Sequence, residues 1–505
     1  MGKHVSIQLV RTLFVIAVGL LIPPLSNFYL GEDAYGSWQT LVSLMGLLQL
    51  LALGIPMASV RQISRARATN DHEALNRVLG TCTRLYALVA VMALLVGLVL
   101  VPVFDALFGA QIADYSEERR ADALIATGIV AFNTALSFAT RLPFGVLAAY
   151  QRFFASNLMM MGSTACRVLL IYFVLTHSAS FAHLAIVEGI IILLDFVLPF
   201  FYIRRTIPEA RFSFRVFDRG LMKDILVFGG FVLLLQMGIR LSFMLDAQVI
   251  GANLPHRNVA YYNSANTFLL YLTELMVSLG QVVMPAAARL SSQGQTADLK
   301  PILLKWSKIA LSLSLLVCLY LLAFGPEFIG VWMHDAAYIE PSRGVLPILI
   351  VSCIAFLPIR AVALPMLMGL GLVKQPAITF LAAGLLNLGI SLALVGPYGL
   401  VGVALGTAIP NVLYALAMAR VATRAIGMDT GAWLLSIGLK PMLGSALVFP
   451  ALYGLSQILT VDSIPTVLLS GILSTLVFSL VWVLFVYRGD PHFDLAAMVR
   501  RRMHR

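Results

Sequence analysis

Apolar residues run through this chain in fourteen long blocks separated by short polar stretches. The blocks lie near residues 8–30, 36–60, 79–103, 122–142, 153–176, 181–203, 223–250, 259–287, 301–324, 344–369, 376–396, 400–421, 432–456 and 464–487. A helix needs roughly 20 apolar residues to cross about 30 Å of hydrocarbon. Each block reaches that length, so the pattern predicts an all-α, polytopic membrane protein of about fourteen spans. No polar stretch is long enough for a separate soluble domain of ordinary size. The first block follows Met1–His4 directly, with no small-residue cleavage site behind it, and reads as a span rather than a removed leader.

Composition agrees. The chain has 505 residues, 60% hydrophobic and 12% charged, with a mean hydropathy of +0.91. Soluble domains carry about twice that charge fraction. The net charge of +11 would suggest nucleic acid in a soluble protein, but here topology accounts for it. Arg61, Arg65, Arg67, Arg77, Arg152, Arg204, Arg205, Arg211, Arg215 and Arg219 share one set of loops with Lys300, Lys374, Arg420 and Arg424. The opposite loops hold only Arg119, Arg120, Arg257 and Arg343 and are acidic. Positive-inside asymmetry places the basic loops and both termini in the cytoplasm. No nucleic-acid partner is expected. Cys82, Cys166, Cys318 and Cys353 all lie in apolar blocks at no ligand spacing, which predicts buried thiols.

The chain repeats itself. Arg141-Leu-Pro-Phe-Gly-Val-Leu-Ala-Ala-Tyr-Gln-Arg152 is echoed by Ala363-Leu-Pro-Met-Leu-Met-Gly-Leu-Gly-Leu-Val-Lys374. More loosely, Ala34-Tyr-Gly36 leading to Pro56–Arg61 is echoed by Ala260-Tyr-Tyr262 leading to Pro285–Arg289. The expected organisation is an N lobe at 1–203, a cytoplasmic linker at 204–222, a C lobe at 223–421, two appended helices at 432–487 and a basic tail at 488–505. Two readings of the tail stand: an amphipathic helix on the inner leaflet, or a solvated tail that obeys positive-inside. The linker, with Phe212, Phe214 and Phe217 among arginines, has the same two readings.

Several stretches resemble the multidrug/oligosaccharidyl-lipid/polysaccharide (MOP) exporter superfamily, and within it the polysaccharide-transporter branch of Wzx-type flippases. They are Tyr35-Gly-Ser-Trp-Gln39 with Leu53–Arg61, Ala260-Tyr-Tyr-Asn-Ser264 with Val283–Leu290, and Asn387-Leu-Gly with Gly396–Thr407. The resemblance implies a two-lobed, V-shaped transporter working by alternating access. It implies an undecaprenyl-pyrophosphate-linked oligosaccharide as cargo, for O-antigen or exopolysaccharide synthesis at the bacterial inner membrane. A polysaccharide polymerase and a chain-length regulator are the protein partners such a role suggests. Lipid II flippases and MATE drug exporters share this fold, so fold alone does not decide cargo.

Seven basic residues fall inside blocks: Arg11, Arg84, Arg141, Arg167, Arg240, Arg360 and Lys440. At about 2.5–3.5 kcal/mol each, all facing lipid would approach about 20 kcal/mol, beyond the roughly 5–15 kcal/mol by which a domain is stable. Arg11, Arg84, Arg141 and Lys440 lie within a few turns of the cytoplasmic boundary and can snorkel. Arg167, Arg240 and Arg360 lie deeper. The acidic candidates are Glu188, Asp195, Asp246 and Glu274. Helix rise puts Arg167 and Glu188 at matching depth, which predicts a salt bridge, and Glu188 and Asp195 share a helix face. How Arg240, Asp246, Glu274 and Arg360 pair stays open. The pyrophosphate implied by the resemblance suits deep arginines, whose planar fork grips phosphate oxygens and stays charged. Arg240 and Arg360 are the headgroup candidates, with Arg141 and Arg11 at the cytoplasmic entrance. Asp246 and Glu274 are the candidates for proton or sodium coupling, with Asp195, Glu188 and Arg167 as further coupling or salt-bridge residues.

No Walker A pattern, catalytic triad or metal-spaced cluster is visible in the sequence. A transporter without a cofactor is expected, driven by an ion gradient, membrane potential or removal of cargo outside. Two other readings compete. A MATE-like antiporter of small organic cations should have an acidic, aromatic cavity. A membrane enzyme should carry paired acids in an external loop, where only Glu117-Glu118 stands, followed by Arg119-Arg120.

Overall fold

The computed structural model describes residues 14–490 except 53, 69–70, 109–116, 179, 244 and 281–282, and at some helix positions, Arg240 among them, the backbone alone. Every apolar block is helical through most of its described residues. Among the described residues, nine helical runs are long and apolar enough to cross a membrane. One of these, residues 374–425, contains two blocks; the other four blocks are shorter or broken. The protein is an all-α, multi-pass membrane protein. The chain divides into two units, Met1–Ala260 and Tyr261–Arg505.

The first unit begins with α1 (Phe14–Leu30) and α2 (Glu32–Gly46), followed by a 3-10 turn (Leu47–Ala52) and α3 (Ile55–Ala68). Gly54, at φ 70°, and Pro56 in the first turn of α3 explain why this block is not one straight helix. Then come α4 (His72–Phe108), α5 (Glu117–Ala149), α6 (Phe153–His177) and α7 (Phe181–Thr206). Helix α5 is the centre, packed on α3, α4 and α7. Asn133 of α5 donates to the Ala185 carbonyl at 2.6 Å, beside Gly189, where any Cβ would meet the Asn133 amide. Asp122 caps α7, accepting from Ser180 Oγ and Phe181 N at 2.7 Å each. The block 223–250 becomes α8 (Arg219–Phe243) and α9 (Asp246–Asn253); a carboxylate at the start of α9 suits the positive end of its dipole.

The linker lies along the early turns of α4. Arg84 Nε donates to the Phe214 carbonyl at 2.5 Å and its guanidinium sits 5.1 Å from the Phe217 ring centroid. Arg211 N donates to Asn76 and Asp218 N to Thr81. Gly80 is needed there, since a Cβ would come 2.5 Å from the Val216 carbonyl oxygen. The Tyr150 hydroxyl donates to Glu209 at 3.2 Å; burial, with the Glu209 charge beside it, pushes that phenol up to about 12.

α10 (Arg257–Gly280) carries the boundary between the units. In the second follow α11 (Val283–Ser292), α12 (Leu299–Met333), α13 (Ile339–Pro358), a π turn (Ile359–Ala363) and α14 (Leu364–Gly369). Pro365 has no N–H and its ring crowds the carbonyl one turn back, which a widened π turn accommodates. Residues 374–398 and 400–425 form α15 and α16, a hairpin reversed at Gly399 (φ 55°, ψ −131°). Its arms meet through small residues: a Cβ on Gly402 would lie 2.2 Å from the Leu394 carbonyl oxygen, and one on Gly406 2.0 Å from Ser391 Oγ. Asn387 donates to Thr407 at 3.1 Å. α17 (Thr430–Ile458), capped by Asp429 on Ala432 N, and α18 (Ile464–Val481) with a closing π turn (Trp482–Val486) pack on α12.

The helices that carry the first pair of echoes close alike. α5 closes with Tyr150 N on Val146 O, Gln151 N on Ala148 O and Arg152 N on Leu147 O; α14 closes with Leu370 N on Met366 O, Gly371 N on Met368 O and Leu372 N on Leu367 O. Gln151 and Gly371 both take positive φ, 56° and 77°. Both helices therefore end in a Schellman-type turn, the second two residues earlier in its echo than the first.

Candidate site of membrane-embedded arginines

Arg141 lies two turns before the end of α5. Its guanidinium donates to the Gln49 side-chain oxygen and sits 5.3 Å from the Phe138 ring centroid. Gln49 stands on the 3-10 turn, and its Nε2 donates to Ser137 Oγ at 3.0 Å. The buried Tyr86 of α4 lies within electrostatic reach of Arg141. Among the described residues no carboxylate forms an ion pair with Arg141. Among the described residues a cation inside a membrane-crossing helix is thus held by an amide and a ring.

Arg167 of α6 is paired. Its Nε donates to the two Glu188 oxygens at 2.9 and 3.1 Å, and a terminal nitrogen also reaches Glu188. Asp195, two turns on from Glu188 along α7, lies near Ser163, whose hydroxyl donates to the Met159 carbonyl, and within electrostatic reach of Arg167. The structure thus pairs Arg167 with Glu188, with Asp195 further along the same face within electrostatic reach. Asp246 is buried at the first residue of α9, 3% exposed. Near it in sequence, buried His256 holds Ser37 Oγ at 2.8 Å through Nδ1.

In the second unit Arg360 stands on the π turn, partly buried. Its electrostatic neighbours are the Tyr414 hydroxyl and Glu274. Tyr414 is buried and packed against Phe380, centroids 4.4 Å apart. Glu274 of α10 is exposed and lies within electrostatic reach of Arg360. Arg240 lies on α8, its side chain outside the described residues, as is the whole of Arg11. The tail from residue 491 onward lies outside them too.

Sequence reasoning missed Gln49, Tyr86 and Tyr414, neutral residues with no motif around them. It also missed the buried ion pair of Lys308 on α12 with Asp490. Two lone charges at the same end of neighbouring spans were the only signal. Among the described residues no cluster of His, Cys, Asp and Glu is suited to a metal.

The folded chain is similar to the lipid II flippase MurJ in an inward closed conformation, with TM-score 0.69 and 17% identity over 93% of this chain and 97% of that one. It is similar to a multidrug resistance MATE family transporter of the MOP superfamily facing inward, with TM-score 0.67 and 17% identity over 83% and 94%. A MOP superfamily transporter from Pyrococcus furiosus gives TM-score 0.60 and 17% identity over 84% and 96%. No curated protein sequence matches the chain. A MatE family model matches residues 232–393. The model described as polysaccharide biosynthesis protein matches residues 1–291, more than half of the chain, and the chain belongs to that family, with the fold of the MOP superfamily.

Proposed function

We propose that this protein is a flippase that carries undecaprenyl-pyrophosphate-linked oligosaccharide from the cytoplasmic to the outer face of the bacterial inner membrane by alternating access. The observation that carries this reading is Arg141. A guanidinium within a membrane-crossing helix, partnered by Gln49 and Phe138 and by no carboxylate among the described residues, is suited to an anionic group entering from the basic side of the membrane. Arg360, on its π turn with Tyr414 and Glu274 as electrostatic neighbours, offers a second guanidinium. Phosphate oxygens match the guanidinium fork, and a low dielectric strengthens the attraction. The family's part in polysaccharide biosynthesis and the fold shared with a lipid II flippase support a lipid-linked glycan as cargo.

The test is reconstitution in proteoliposomes with a fluorescent undecaprenyl-pyrophosphate oligosaccharide. Wild type should transfer the label across the bilayer, and folded Arg141→Ala and Arg360→Ala should lose most of that transfer. No glycolipid transfer, together with proton-driven efflux of a cationic dye, would instead establish an antiporter.

A further inference from the structure

The second unit holds a pocket of about 280 Å³ apart from every arginine discussed above, lined among others by Lys308 of α12, Leu435, Ser436, Leu439 and Lys440 of α17, and Asp490. Lys308 and Asp490 are paired, and both are more than nine-tenths buried. Lys440 Nζ donates to the Arg488 carbonyl at 3.2 Å. Two ammonium groups and one carboxylate thus line the pocket, Lys440 bonded to a neutral carbonyl and not to Asp490, so its described lining has a positive surplus, with the Ser436 hydroxyl beside it.

Its level in the membrane follows from α17. That helix has 29 residues, about 43 Å at the usual rise, against about 30 Å of hydrocarbon. Its first turn therefore stands in the headgroup layer on the side of Arg420 and Arg424, the basic, cytoplasmic side. Ser436 and Lys440 fall at the boundary between headgroups and hydrocarbon. From the pocket an apolar stripe continues at four-residue spacing: Leu435, Leu439, Leu443 and Leu447, 63%, 55%, 50% and 58% exposed. These four share one helix face over about 18 Å, close to the depth of one leaflet.

We infer that this pocket binds the phosphate headgroup of an anionic phospholipid of the cytoplasmic leaflet, with an acyl chain along the leucine stripe. A phosphodiester brings one negative charge to a pocket with one surplus positive charge. Lys440 supplies the charge-assisted bond, beside Ser436, whose hydroxyl donates to the Ala432 carbonyl. The lipid would be a resident ligand, not cargo.

The experiment uses the purified full chain in detergent, titrated with dioleoylphosphatidylglycerol, dioleoylphosphatidylcholine and inorganic phosphate, and read by native mass spectrometry and thermal midpoint. Phosphatidylglycerol should bind wild type in preference to phosphatidylcholine, and Lys440→Ala should weaken it about tenfold or more. That variant leaves the Lys308–Asp490 pair intact, and a lipid-free midpoint equal to wild type checks its fold. Should it misfold, Lys440→Gln carries the same expectation. Equal binding of the two lipids, or unchanged phosphatidylglycerol binding by the folded variant, overturns the proposal. Inorganic phosphate binding as tightly as the lipid overturns the acyl-chain part, leaving a pocket for free anions.

Discussion

Gln49 and Arg141 are joined directly, the guanidinium donating to the amide oxygen from 92 residues away in sequence. The amide fixes one edge of the guanidinium and brings no charge. If Arg141 grips phosphate as a fork, Arg141→Lys keeps the charge and loses the planar geometry. Glycolipid transfer by Arg141→Lys is expected to fall about tenfold, the order of one charge-assisted hydrogen bond, and Gln49→Leu to fall less. Transfer by Arg141→Lys at the wild-type rate would mean that charge alone is used there.

The Arg167–Glu188 pair is a different case, since its charge is already met. Removing one partner leaves an uncompensated ion. With the Arg167 side chain 41% and Glu188 23% exposed, Glu188→Leu is expected to destabilise by about 1–3 kcal/mol, below the figure for a fully buried pair. Arg167→Met combined with Glu188→Leu should recover most of the loss. Thermal midpoints in detergent measure both. Transport retained by the double variant marks the pair as structural; transport lost in a folded double variant marks it as part of the coupling machinery.

Much of this was legible in the sequence. Long apolar blocks give membrane helices because the bilayer demands backbone hydrogen bonds closed within each segment. Depth along two neighbouring helices was enough to set Arg167 against Glu188, and the break at 396–400 marked the hairpin that reverses at Gly399. Hydropathy does not register a change of turn type, so the 3-10 turn that presents Gln49 and the π turn that presents Arg360 were invisible. Tyr86 and Tyr414 read as ordinary helix residues until packing set their hydroxyls near arginines. Lys308 and Asp490, 182 residues apart, meet through the packing of α17 and α18 on α12.

His256 makes stability depend on pH. Burial lowers its imidazole from the usual 6.5 to about 4. The folded value lies below the unfolded one, so between pH 6.5 and 4 the unfolded chain binds the extra proton. The contribution is complete above pH 6.5 and is lost as pH falls through that window, about 1–3 kcal/mol by its lower end. Thermal midpoints measured from pH 7.5 to 4.5 should drop more steeply for wild type than for His256→Gln. Parallel profiles for the two proteins would show that His256 is not the group responsible.

The α15–α16 hairpin gives the sharpest steric test. Its arms approach so closely that a Cβ on Gly406 would stand 2.0 Å from Ser391 Oγ and 2.8 Å from the Ser391 backbone nitrogen. A hydroxyl can rotate away, but the backbone nitrogen cannot, so Gly406→Ala forces the arms apart. In membrane helices such close approach is a main source of packing energy, and overpacking typically costs about 1–3 kcal/mol. Separating the arms also strains the hydrogen bond of Asn387 to Thr407. Gly406→Ala is expected to lower the thermal midpoint by several degrees. Gly389→Ala, on the same hairpin with open space around its Cβ position, should not lower it, since alanine favours helix over glycine by about 1 kcal/mol. Equal midpoints for the two variants would show that the arms are not in contact at Gly406.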